Sequence, residues 1–147
     1  GPRAGGFHVR SGDFCGEDKS VSAFIGVMEK MSDGCSDPVV RSVIQRFLDE
    51  KIEDLEIPLV VISPEEAECL LPEITRFREE LKRLFGGITD PVEAFWVACQ
   101  MDEEAGLSST AGQFGKGLGW QHMCAVDMIG ACEHSIEHGG EIMVYYV

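Results

Sequence analysis

The chain has 147 residues, 44% of them hydrophobic and 26% charged, which is the composition of a folded domain rather than a disordered segment. Twelve Lys and Arg stand against 26 Asp and Glu, a formal charge of −14 at pH 7. That balance argues against nucleic acid and anionic membrane as partners and favours a basic protein. No apolar run approaches the roughly 18 residues of a membrane span. Gly1–Pro2, with no initiator Met, reads as the scar of a cleaved tag, leaving residues 3–147 as a single domain.

In chain order, Gly6–Arg10 alternates as a short strand and Ser11–Glu17 reads as loop. Lys19–Met31 places Phe24, Ile25, Met28 and Met31 at helical spacing. Asp37–Pro38 opens a second helix, whose stripe is Val40, Val43, Ile44, Phe47 and Leu48. Ile57–Ile62 is a buried strand by its β-branched run.

Ser63-Pro64-Glu65-Glu66 is the strongest helix start, combining a capping hydroxyl, a preset φ and acid at the positive end of the dipole. Pro72 is expected to kink or split the stripe that follows, and Gly86–Gly87 to end it. Asp90–Pro91 signals another helix, but Ala94–Cys99 is rich in aromatic and β-prone residues, so helix and strand are balanced there. Gly106–Gly119 is a glycine-rich loop, Trp120–His138 a long helix ended by Gly139–Gly140, and Glu141–Val147 a closing strand.

Six cysteines occur without a C-x-x-C pair, which excludes the zinc-ribbon and thioredoxin patterns. They read as reduced thiols in or near the core of a cytoplasmic protein.

His134-Ser-Ile-Glu137-His138 matches H-x-x-E-H, in which two imidazoles one helical turn apart share a metal and the glutamate serves as base. Its context is poor, because only Gly139–Val147 follows and no downstream ligand helix is available. The bland reading is two surface histidines near a helix C-terminus, where His⁺ suits the dipole.

The loop Gly112–Gly119 invites a phosphate reading but fails the Walker spacing, since Thr110 stands where a glycine is needed and Gly117 follows Lys116. Arg76, Arg78, Lys82 and Arg83 are diluted by Glu79 and Glu80 and make a poor phosphate site. No nucleophile elbow supports a Ser-His-Asp arrangement. The acidic clusters Asp49–Glu56, Glu65–Glu68 and Asp102–Glu104 are either solvated faces or a decoy for a basic active site.

The segment Ser63–Leu84, SPEEAECLLPEITRFREELKRL, resembles a stretch of small bacterial immunity proteins from polymorphic and contact-dependent toxin systems. The order of elements is similar too: a GFHV-like strand, a helix around SAFIGVME, a segment containing Phe95-Trp96-Val97, a long helix and a closing strand. The chain departs from that pattern in carrying Gln100–Gly119 where a proline- and tryptophan-rich stretch stands. The resemblance implies a cytosolic antidote in bacterial competition, binding one cognate toxin and blocking its active site or substrate access without catalysis. It also tips Ala94–Cys99 toward strand.

The expectation is therefore an α+β domain with a small, mostly antiparallel sheet and helices packed on it. Its function would be that of an immunity protein or toxin inhibitor, with no catalytic residue, metal or cofactor. The partner would be a basic cognate toxin domain. The expected contact residues are Asp102, Glu103, Glu104, Gln113, Phe114, Lys116 and Trp120, combining a loop, acid and aromatic anchors. A secretion chaperone for an effector protein and a metal-dependent hydrolase using the H-x-x-E-H are the alternatives. Oligomeric state stays open.

Overall fold

A computed structural model of the chain describes residues 6–18, 21–49, 58–106 and 117–146. Within them the elements run β1 (Phe7–Ser11), β2 (Phe14–Asp18), α1 (Val21–Gly34), α2 (Pro38–Asp49), β3 (Val60–Ile62), α3 (Pro64–Leu84), α4 (Pro91–Glu104), α5 (Leu118–His138) and β4 (Ile142–Tyr146). The four strands form one antiparallel sheet in the order β2-β1-β4-β3. The fold is thus a small α+β domain with helices packed against an antiparallel sheet, and none of its described helices is long and apolar enough to cross a membrane.

Strand alternation decides which face is covered. Val9, Val60, Ile62, Ile142 and Val144 are buried against the helices. His8, Arg10, Cys15, Glu17, Met143 and Tyr145 occupy the other face and are half-buried or exposed. Helix α5, about 30 Å long, runs through the centre and meets α1, α3, α4, β1 and β2. Being enclosed on several sides, it buries Cys124, Ala125, Met128, Ala131 and Cys132 together. Phe24 of α1 and Phe47 of α2 meet edge to face at 5.1 Å where those two helices pack together.

Three expectations need correction. The expected loop Ser11–Glu17 is largely the turn and second strand of a hairpin, with Val9 opposite Gly16 and Arg10 opposite Cys15. Gly12 makes the turn at φ +55°, a positive φ at the first central position, as a type II′ turn requires. Strand β2 is too polar to announce itself by alternation, and it gains its conformation from β1 and α5.

Of the two outcomes expected at Pro72, a kink or a split, the split does not occur, since α3 is continuous from Pro64 to Leu84. The cost of an interior proline, about 3 kcal/mol, is offset by burying Ala67, Leu70, Ile74, Phe77 and Leu81 at roughly 1.5–3 kcal/mol for each large side chain. Ala94–Cys99 is helix rather than strand. The Asp90 carboxylate accepts the Glu93 N–H at 2.9 Å, Pro91 fills the first turn, and Ala94, Ala98 and Asp102 point inward at four-residue steps. Local start signal and burial period agree there, and together they outweigh β-propensity.

The Ser63 start forms a full capping box. Glu66 N–H donates to Ser63 Oγ at 3.1 Å, and Ser63 N–H donates to Glu66 Oε1 at 2.9 Å. The other oxygen of Glu66 pairs with Arg46 of α2, whose second amino group donates to the Val61 carbonyl at 2.7 Å. One carboxylate thereby joins α2, β3 and α3. Burial works to raise the Glu66 carboxyl, but the Ser63 N–H and the Arg46 guanidinium outweigh it and hold the group below its ordinary value.

Of the six cysteines, Cys35, Cys124 and Cys132 are buried, Cys69 and Cys99 are intermediate, and all are free. Cys15 departs from the expectation of a core or near-core thiol, because the hairpin puts it on the open face of the sheet, exposed.

Candidate functional site

Of the residues expected to bind a partner, Asp102, Glu103, Glu104 and Trp120 are described and fall at the junction of α4 and α5, where the structure divides their roles. Ala94, Ala98 and Asp102 face α5, and their small side chains let the two helices come close. The approach is tight at Gly119, where a Cβ would lie 3.0 Å from Cys99 Sγ and 3.3 Å from the Phe95 ring. Asp102 is only 3% exposed. Its carboxylate accepts the backbone N–H of Leu118 at 3.1 Å and of Gly119 at 3.5 Å. The N-cap residue of α5 is Gly117, which has no side chain to cap with, so α4 supplies the cap from outside the helix. Asp102 is therefore corrected from a partner contact to an internal cap.

Trp120 is half-buried, packed edge to face on Phe95 with ring centroids 5.0 Å apart. It belongs largely to the α4–α5 junction and offers a partner less surface than expected. Glu103 and Glu104 are exposed at the C-terminal end of α4. Gln113, Phe114 and Lys116 lie outside the described residues.

What the sequence reading missed is Trp96. Because Ala94, Ala98 and Asp102 turn inward, helical period turns Val92, Trp96 and Gln100 outward. Trp96 is 65% exposed and Val92 60% exposed. Phe95 supports the Trp96 ring edge to face at 5.3 Å. The signal was present in the spacing of alanines from residue 94, but it appears only once the segment is read as helix.

The last turn of α4 holds no basic residue, so Glu103 and Glu104 sit at the negative end of its dipole. That arrangement is unfavourable for the isolated helix. The Cys99 thiol nearby is pushed up by burial and then by Asp102 and Glu103, which leaves it a poor nucleophile.

The H-x-x-E-H stretch lies at the end of α5 beside the hairpin turn. His134 Nδ1 is 3.0 Å from Ser11 Oγ, and Nε2 is 2.7 Å from an Asp13 carboxylate oxygen. The three residue types are those of a hydrolytic triad, but the exposure is inverted. Ser11 is fully buried, out of reach of a substrate, while the Asp13 side chain is 96% exposed. In a working triad the serine is accessible and the aspartate buried. The arrangement instead latches the β1–β2 turn to α5, with His134 engaged through both nitrogens. His138 stacks on it at 4.2 Å between ring centroids. Hydrogen bonding to His134 holds the Asp13 carboxyl below its ordinary value. Gly12 is required here twice over, since a Cβ would also lie 2.9 Å from His134 Cε1.

A third histidine of α5 is hidden entirely. His122 has no exposed surface, neither ring nitrogen has a hydrogen-bond partner among the described residues, and Phe85 packs against it at 5.8 Å. Burial, then the charges of Arg78 and Lys82, lower it to about 4, so the ring is neutral near pH 7. Three residues of the basic stretch on α3 are engaged locally: Arg76 pairs with Glu73 at 2.9 Å, Lys82 with Glu79 at 3.0 Å, and Arg78 donates to the Thr89 carbonyl at 3.2 Å.

Comparison with protein-family models, curated proteins and solved structures finds no match to this chain.

Proposed function

We propose that the chain is an immunity-type inhibitor that binds a basic toxin domain in the cytoplasm and blocks its active site, docking through the outer face of α4. The observation that carries this reading is Trp96, 65% exposed on a helix face that also bears Val92, Gln100, Glu103 and Glu104. A large aromatic held out in water by a rigid helix is the usual anchor of a protein interface. Acid at the rim of such an anchor speeds encounter with a basic partner and sets its orientation. The net charge of −14 acts in the same direction at longer range. A basic partner would also relieve the repulsion of Glu103 and Glu104 at the negative end of the α4 dipole.

The test is to identify the neighbouring open reading frame, which this reading requires to encode a toxin domain, and to co-express its product with the chain. Growth should be rescued by the native chain and lost with Trp96→Ala combined with Glu103→Lys, at unchanged thermal stability. Full rescue by that folded variant overturns the docking face, and failure of the native chain to rescue or to bind overturns the function.

A further inference from the structure

We infer that the open face of the β1–β2 hairpin is a binding site for one divalent transition-metal cation of the zinc class, held by His8, Cys15 and Glu17. One potential ligand atom from each residue lies within 4.8 Å of the other two. The geometry follows from strand register. His8 stands directly opposite Glu17, with His8 Nε2 and a Glu17 carboxylate oxygen 3.6 Å apart. Cys15 is two residues before Glu17, so alternation brings it to the same face. Metal–ligand bonds of about 2.0–2.3 Å require the three atoms to draw together only slightly, within reach of side-chain rotation over a fixed backbone.

The donor set selects the ion. Calcium and magnesium take oxygen ligands, whereas imidazole, thiolate and carboxylate together suit zinc and its neighbours. One thiolate and one carboxylate balance the two positive charges. Three protein ligands leave a fourth position for water or an exogenous group. The thiol is accessible, since Cys15 is the one exposed cysteine of the six. The opposing charge is Arg10, whose guanidinium lies 3.4 Å from His8 Nδ1. Arg10 is exposed and can turn to solvent when a cation enters. The sequence hides this set, because residues 8, 15 and 17 converge only through a hairpin made by a segment that reads as loop. The site shares no residue with the α4 face, so it stands or fails independently of the proposed function.

The experiment is titration of the reduced, purified chain with cobalt(II), followed by displacement with zinc(II). One equivalent of cobalt should produce a thiolate-to-cobalt charge-transfer band with tetrahedral d–d absorption, and zinc should abolish both. Cys15→Ser should remove the charge-transfer band, and His8→Gln and Glu17→Gln should each weaken binding by roughly tenfold or more. Cys99→Ser should leave the band in place. Circular dichroism of each variant separates ligand loss from unfolding. Absence of the band in the folded native chain, or its survival in Cys15→Ser, overturns the site.

Discussion

The carboxylate of Asp102 in α4 accepts the backbone N–H of Leu118 at 3.1 Å, so one helix closes the start of another. Asp102→Ala should destabilise the domain by about 1–2 kcal/mol, the usual worth of an N-cap. Asp102→Asn keeps an acceptor and should cost less. Urea unfolding of the two variants checks the order. Equal stability of Asp102→Ala and the native chain would show that the cap contributes nothing.

His122 sets a mildly acidic limit on stability. Its folded-state value near 4 lies below the ordinary 6.5, so on acidification the unfolded chain takes the proton first. Stability is intact above the ordinary value and drains as pH falls from there to about 4. The loss is on the order of 3 kcal/mol over that window. His122→Leu should flatten the window and leave the lower carboxylate transition. Unfolding free energies measured across pH 4–7 decide it.

The carboxylates act lower down. Glu66 and Asp13 are both held below their ordinary values of 4.5 and 3.8, so what they contribute is present above those values and is lost only as pH falls through the lowered ones. For Glu66 with Arg46, a double-mutant cycle using Glu66→Gln and Arg46→Met should give a coupling of about 0.5–1 kcal/mol, modest because the pair is partly exposed. The coupling should vanish once the pH has fallen through the lowered Glu66 value and the carboxylate is protonated.

His134→Ala should cost roughly 1–3 kcal/mol, because it strands the buried Ser11 hydroxyl. Asp13→Asn, at an exposed position, should cost far less. Hydrogen exchange should locate the His134→Ala effect in the hairpin amides of β1 and β2. Uniform loosening of the whole domain would argue against a latch.

Trp96→Ala should change stability by no more than about 0.5 kcal/mol, as expected for an exposed side chain. It should weaken partner binding by roughly 30-fold or more if the residue is an anchor. Asp102→Asn should leave binding unchanged, which separates the outer face of α4 from its inner face by isothermal titration calorimetry.

Elements with a strong local signal were legible in the sequence. Ser63-Pro64-Glu65-Glu66 announces a capped helix start and makes one. Asp90–Pro91 also starts a helix, although the aromatic and β-prone residues after it turn the sequence reading toward strand. Segments whose conformation depends on distant partners were not. Phe14–Asp18 has no apolar alternation and becomes a strand because β1 supplies its hydrogen bonds. Asp102 belongs to what reads as a surface acid run, and only the arrival of Leu118 in space turns it into a cap. Trp96 and Trp120 look equivalent in sequence, yet helical period exposes the first and packs the second against Phe95.

Strand order carries a consequence for synthesis. Strand β4, formed by Ile142–Tyr146, lies between β1 and β3, and β3 has no other neighbour in the sheet among the described residues. On a ribosome the β1–β2 hairpin is able to close early, while Val60–Ile62 has no strand to pair with until the chain beyond Gly140 has emerged. Until then the sheet is divided, and the edges of β1 and β3 that β4 pairs with stand open. Vectorial growth of the polypeptide thus makes completion of the sheet a late event, and a stall shortly before Ile142 would leave a species prone to association through its unpaired edges.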